Sequence, residues 1–306
     1  MVSVGNSEVF LIRTSDRGLG VRRLLQQFEL DRFSGKKIAL KANYNSADPF
    51  PASTHLDTLE ALVRFLKKVS ISELTLAERS GMGNTRTVLE QCGVFNLSEK
   101  LGFNVIVLDE ERKDRWVKIS RDKTHWLRGF YISKVFVEAD GVVQTCCLKT
   151  HRFGGHFTFS LKNSVGLVAK RVPRGLYNYM WELHSSPHQR RMIAEINAVY
   201  PIDLVVMDAM KAFITKGPDR GDVVEPNLLL ASSDRVALDA VGVAILRIYQ
   251  STPTVMKGRI FELDQIRRAA ELGVGVQSAS NIKLTPINDE SRDDAKKIDH
   301  ILKSQG

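Results

Sequence analysis

Short apolar runs alternate along the chain with stretches whose apolar residues return every three or four positions, which predicts strands alternating with helices. Val9 to Arg13 reads as a first strand, with a helix from Gly18 to Phe28 behind it. Lys37 to Ala42 is a second strand. Between Thr54 and Val69, Leu56, Leu59, Leu62, Val63 and Leu66 fall on one stripe of a helix. Glu73 to Ala77 is a third strand, Thr85 to Gln91 a helix stopped by Gly93, and Asn104 to Leu108 a fourth strand. From Trp116 to Leu148 the alternation suits antiparallel or mixed strands, with a turn at Asp140-Gly141. Helices are then expected at Pro187 to Val199, Arg235 to Tyr249 and Phe261 to Leu272, and strands at Leu204 to Met207 and Leu228 to Ala231. Residues 291–306 read as a charged peripheral helix. This pattern predicts an α/β fold, with a mostly parallel, Rossmann-like sheet flanked by helices. The chain is expected to be one domain over 1–306, or two interlocked lobes, 1–140 and 141–306, with a mixed-strand region at 116–148.

Composition narrows the class. The chain has 306 residues and is 43% hydrophobic, enough for a substantial core. It carries 44 Lys+Arg against 35 Asp+Glu, a net charge of +9, which favours anionic partners. The charges are dispersed in pairs such as Lys67-Lys68 and Arg190-Arg191, with no basic arm or aromatic-basic motif. That argues against nucleic acid and for an anionic small molecule. Cys92, Cys146 and Cys147 show no CxxC spacing, so neither a zinc ribbon nor an iron–sulfur cluster is expected. Met1 to Ser7 lacks a basic flank and apolar core, and no run approaches the ~20 apolar residues of a membrane helix. A cytoplasmic location without membrane attachment is expected. The sequence is silent on oligomeric state.

The chemistry concentrates at strand ends, where open α/β sheets bind ligands. The segment from Cys147 to Gly166 places Lys149, His151, His156, Lys162 and Asn163 around the Gly154-Gly155 break. Cations gathered this way need an anion or an exposed position, because burying them unpaired costs several kcal/mol. The second strand ends in Lys41-Ala42-Asn43, which is also plain turn chemistry. The third ends in Glu78-Arg79-Ser80-Gly81-Met82-Gly83-Asn84-Thr85 and enters a helix. Its glycines could turn backbone N–H groups toward an anion, or Asn84 or Thr85 could simply cap the helix. Asp208, after the strand Leu204 to Met207, suits a general base or a metal ligand, or a turn cap paired with Lys211. The loop Thr215 to Gly221 adds Lys216 and Arg220. Asp234 stands at a helix N-cap position, and Asp239, inside an apolar helix, requires a partner such as a lysine or a backbone amide. No HExxH, two-His-one-carboxylate or GxSxG pattern occurs, leaving Ser160 and Cys147 as unsupported nucleophiles.

Taken in order, Lys41-Ala42-Asn43, Glu78 to Gly81, Lys149-Thr150-His151 through Lys162-Asn163-Ser164-Val165-Gly166, Gly217-Pro218 with Gly221, and Ala231 to Asp239 resemble the Domain of Unknown Function 362 family. The resemblance runs from about residue 36 to 250. It departs at Ala42, where the family usually has proline, and at Glu78-Arg79-Ser80, where it has a Gly-Asp-Ser type loop. Many relatives also carry a ferredoxin-like insert or an export signal, neither of which is read here. A fainter similarity links His151 and Lys162 to lactate racemase and its relatives, whose corresponding lysine holds a nickel-pincer nucleotide while the histidine moves a proton. The order of the Gly pair and the lysine differs.

These readings give an expected enzyme in which His151 acts as general acid or base, and Lys149 and Lys162 neutralise a carboxylate or phosphate. Asp208 would be a second base or a metal ligand. Lys41, Asn43, Glu78, Gly81, Gly83, Asn84, Thr85 and Asn163 would hold a cofactor or a second anionic group. A metal ion or a nucleotide-type cofactor suits this inventory, which names neither. Lyase- or isomerase-type proton transfer is the expected reaction class. The alternative is a non-catalytic binding protein for a metal, nucleotide or other cofactor.

Overall fold

The computed structural model describes residues 5–154, 156–172 and 175–306. Four strands come first: β1 (Ser7–Arg13), β2 (Lys37–Lys41), β3 (Glu73–Glu78) and β4 (Asn104–Val107). A hairpin of β5 (Trp116–Ile119) and β6 (Phe130–Ser133) follows, then the long β7 (Gly141–His151) and the short β8 (His156–Phe157). The chain continues through β9 (Leu204–Phe213), β10 (Val223–Val224), β11 (Leu228–Ser232) and β12 (Ile282–Pro286).

The main sheet runs in the order β12-β1-β11-β9-β7-β2-β3-β4. From β9 to β4 every neighbouring pair is parallel, and β11 runs antiparallel to both β9 and β1. This is the mostly parallel α/β sheet the pattern predicts, with a small antiparallel sheet of β5 and β6 beside it. The mixed reading of 116–148 applies to that hairpin. The end of the region is different: β7 pairs parallel with β2 and β9, so the sheet runs unbroken across residue 140.

Alternation along each strand decides what covers each face. On one face Leu40, Val143, Val206 and Leu229 pack with the helices Arg17–Leu25 and Leu56–Lys68. On the other, Leu11, Leu148, Met207 and Leu230 pack with the helix Arg235–Ile248, which is buried along nearly its whole length. All eleven residues of β7 are buried, as expected of a central strand covered on both sides. Asp234 caps the helix Arg235–Ile248 by accepting from Val236 N at 2.7 Å and Ala237 N at 2.9 Å.

The connectivity creates a switch point. After β2 the chain steps outward to β3 and β4, then returns to place β7 on the other side of β2. Connections leave β2 in opposite senses, so a crevice opens beyond the carboxyl ends of β2, β3 and β7. Those ends are Lys41, Glu78 and His151.

Candidate functional site

A cavity of about 360 Å3 occupies this crevice. Its floor is built by Lys41 and Glu78. The Lys41 ammonium donates to Glu78 at 2.7 Å, to Asn163 Oδ1 at 3.0 Å and to the carbonyl of Ala42. Glu78 is held in turn by Tyr44 N at 3.2 Å and Arg79 N at 2.9 Å. Burial pushes the Lys41 ammonium down from its ordinary range, and the facing Glu78 opposes that push. Gly166 lies directly over this pair. A methyl group there would sit 2.7 Å from Lys41 Cε and 2.8 Å from Glu78 Oε1, so only glycine lets the backbone approach so closely.

Arg79 ties that backbone down. Its buried guanidinium donates to the carbonyls of Val165 at 2.6 Å and Val168 at 2.8 Å. Lys149 is also buried, and its ammonium donates to the carbonyls of Pro51, at 3.0 Å, and Ala52. Asn43 reaches the same loop through Nδ2 to Ala52 O at 2.9 Å.

Near the end of β7 its register with β9 slips between Cys147 and Lys149, and the strand continues into a hairpin with β8. Gly154 turns that hairpin with φ +77°, and His151 stands opposite His156. Gly155 lies outside the described residues. The loop Thr215 to Gly221 fastens the hairpin from outside. Gly217 N donates to Thr150 Oγ1 at 3.1 Å, Arg152 N donates to Gly217 O at 2.8 Å, and the Arg152 guanidinium pairs with Asp219.

Lys162 follows on the short helix Ser160–Asn163, which Asp239 anchors. The Asp239 carboxylate accepts from Ser160 N at 2.9 Å, Ser160 Oγ at 2.5 Å and Leu161 N at 3.2 Å. The partner Asp239 requires is therefore a pair of backbone amides and a hydroxyl. Burial outweighs those bonds and lifts its carboxyl to about 7.

His151 and Lys162 both line the cavity, and they differ from its buried cations Lys41, Arg79 and Lys149. Among the described residues the Lys162 ammonium has neither an ion-pair partner nor a hydrogen-bond acceptor. Burial first, then the charges of Lys149, Arg79 and Arg190, bring it down to about 7. Burial and the neighbouring Lys162 hold the His151 imidazole well below its ordinary range, so it is neutral at physiological pH. Lys41, Arg79, Lys149, Lys162 and the exposed Lys170 thus line the cavity with one carboxylate, Glu78.

The structure brings together Lys41, Asn43, Glu78, Gly81, Lys149, His151, Lys162 and Asn163, drawn from four separate segments. It leaves out four other expected residues. Asp208 is not a cavity group: its buried carboxylate is bound by Arg17 Nε at 2.8 Å, Thr58 Oγ1 at 2.6 Å and Met210 N at 3.1 Å. Nor do Gly83, Asn84 and Thr85 line it. Asn84 caps the following helix through Thr87 N, and Thr85 Oγ1 donates to Asp109 at 2.6 Å. Gly81 N, the donor nearest the cavity in that turn, is taken by Asn45 Oδ1 at 3.1 Å. Ser160 is engaged by Asp239, and burial pushes the Cys147 thiol up to about 11, so neither is an activated nucleophile. Lys211 pairs with Glu225 at 3.1 Å away from the cavity.

Arg79, Gly166, Trp181 and His184 are not among the residues expected at a site from the sequence. All four line the cavity. Arg79 and Gly166 stood inside quoted motifs, so their positions carried a signal, whereas Trp181 and His184 carried none. Among the described residues, no group of three or more His, Cys, Asp or Glu side chains is placed to hold a metal ion.

A mostly parallel α/β sheet with a basic cavity at its switch point defines the class to which this chain's architecture belongs. Its sequence places it more narrowly: residues 38–244 match the model of a domain of unknown function, DUF362, and the chain belongs to that family. The thylakoid-associated protein sll1697 of Synechocystis sp. is 29% identical over 184 residues, covering 59% of this chain. The match spans about half, 53%, of that relative's length. The lactate racemase apoprotein of Thermoanaerobacterium thermosaccharolyticum superposes with a TM-score of 0.45 at 16% identity, covering 75% of this chain and 55% of the other.

Proposed function

We propose that the cavity binds an anionic small molecule, and that the chain is an enzyme in which His151 moves a proton to or from that molecule. The observation that carries this reading is Lys162: among the described residues it is a half-buried cavity cation without a partner, in a site whose fully buried cations Lys41, Arg79 and Lys149 are tied to protein acceptors. A protein that gathers five basic groups around one carboxylate bears a repulsion that a bound carboxylate or phosphate would relieve. The neutral imidazole of His151 is in the form a general base needs. A bound anion would also offset the field of Lys162 and return both groups toward their charged forms. Lys41, Glu78 and Asn163 act as the rigid floor, and Asp208 has no part in the reaction. Proton transfer next to a carboxylate, of isomerase or lyase type, fits these groups.

Among the described residues no helix is long and apolar enough to cross a membrane. We place the chain in the cytoplasm, working on diffusible anions.

The test is wash-in of solvent deuterium at carbon-bound hydrogens across a set of small carboxylates and phosphate esters. Wild type should exchange at least one compound that His151→Gln binds but leaves unexchanged. Lys162→Met should weaken binding of that compound at least tenfold. Exchange by His151→Gln at the wild-type rate would remove the proton-transfer role. Binding without exchange by wild type would make the chain a receptor rather than an enzyme.

A further inference from the structure

The cavity has a second chemical character. Seven large apolar side chains are exposed among the described residues, and three of them line this one cavity: Met82 at 37% exposure, Phe153 at 47% and Trp181 at 71%. They come from three unrelated places, the turn after β3, the hairpin after β7 and the helix Tyr179–Ser185. Packing alone gives no reason for separate segments to leave large apolar groups in water around a single opening.

Neighbouring groups hold the Phe153 ring where it is, and a cap fixes the backbone that presents Trp181. The Arg152 guanidinium lies 4.3 Å from the centre of the Phe153 ring, and Arg152 is itself fixed by Asp219. The Phe153 ring meets the His151 imidazole edge-on, with centres 5.8 Å apart, so an apolar surface adjoins the proposed proton-transfer group. Trp181 sits in the first turn of its helix, where Asn178 Oδ1 accepts from Trp181 N at 3.0 Å. Buried Met180, on the same helix, adds an apolar wall and touches Arg79 through its sulfur at 3.1 Å.

We propose that the ligand is an amphipathic anion, with a carboxylate or phosphate head set against Lys162 beside His151 and an apolar or aromatic body lying on Phe153, Met82 and Trp181. This rests on the anion-binding reading above and adds what the rest of the molecule must be. A purely polar anion would satisfy Lys162 and leave the apolar rim in water. A neutral apolar molecule would leave Lys162 without a counter-charge. A cavity of about 360 Å3 lies at the small end of the range for small-molecule sites and accommodates one ring or a short chain beside the head.

Calorimetric titration with two matched pairs of probes tests this on the full chain: benzoate against acetate, and phenyl phosphate against inorganic phosphate. The aromatic member of at least one pair should bind at least tenfold tighter, a difference of about 1.4 kcal/mol. Phe153→Ala and Trp181→Ala change exposed side chains, so both variants should fold. Each should erode that advantage while leaving acetate or inorganic phosphate binding unchanged. Which pair shows the advantage identifies the head as carboxylate or phosphate. Equal binding within both pairs, or an advantage that survives both substitutions, would overturn the amphipathic ligand and leave the anion site standing. Benzyl alcohol binding as well as benzoate, or no anion binding at millimolar concentration, would instead overturn the anion reading itself.

Discussion

The function proposed here depends on a single ammonium group. Lys162 has an ordinary value of 10.5 and is brought down to about 7, by burial first and by neighbouring cations second. The sign of the consequence for stability is definite. Below pH 7 the group is charged in both the folded and unfolded chain, and the fold bears the whole penalty of desolvating it. As pH rises from 7 toward 10.5 the folded form is already neutral, so the penalty shrinks and then disappears. Lys162→Met should therefore melt at a higher temperature than wild type, by most at or below pH 7, with the gain gone by about pH 10. Thermal melts of both proteins across that range check it. A variant that melts below wild type at pH 6 would show that the ammonium has a stabilising partner. Glu78 represents the opposite case at the same scale, a carboxylate whose partners are all in place. Removing one member of such a buried pair typically costs about 3–5 kcal/mol, because the survivor is left unpaired.

At the scale of elements, the cavity depends on how a very short helix is held. Ser160–Asn163 is only one turn long, too short to be stable by itself, and it carries both Lys162 and Asn163. Asp239 supplies the missing order from the middle of the helix Arg235–Ile248. Asp239→Asn keeps one acceptor but turns an NH2 group toward a backbone donor. It should destabilise the protein by about 1–3 kcal/mol. It should also weaken anion binding, although Asp239 does not line the cavity. Denaturant unfolding and ligand titration of the same variant measure the two effects, and a stability loss with affinity intact would detach Asp239 from the site.

Much of this architecture was legible from pattern. The first four strands and the helices at 56–68, 85–91 and 235–248 follow from periodicity and capping residues, because each buries one face in a way local sequence records. Strand β9 extends to Phe213, well beyond the apolar run that signals it, because Asp208 finds its partner in Arg17, far away in sequence. Strand β12 carries little apolar signal, since it is an edge strand with no fully buried residue. Gly83 to Thr85 read equally well as an anion seat or a helix cap, and the cap won. The motif Lys149 to Gly166 announced a site, whereas its apolar rim at Trp181 was invisible until the fold brought it there.

At the scale of the whole molecule, no single segment makes the cavity. Strands β2, β3 and β7 supply its floor, and residues between Thr158 and Lys170 and between Asn178 and His184 line its other walls, so an occupied cavity is a property of the complete sheet. The excess of 44 basic over 35 acidic residues gives the surface the same sign as the cavity, which favours the approach of anions. The most direct test is whether binding drives a proton into the protein. Benzoate does not titrate at neutral pH, so proton exchange on its binding must come from the protein or the buffer. Calorimetry at pH 8 in two buffers of different ionisation enthalpy should show uptake of a proton by wild type, as Lys162 passes from mostly neutral to charged. That uptake should fade below pH 6 and be lost in Lys162→Met. Binding at pH 8 with no proton uptake, or with the same uptake in Lys162→Met, would contradict the assignment of Lys162 as the anion's partner.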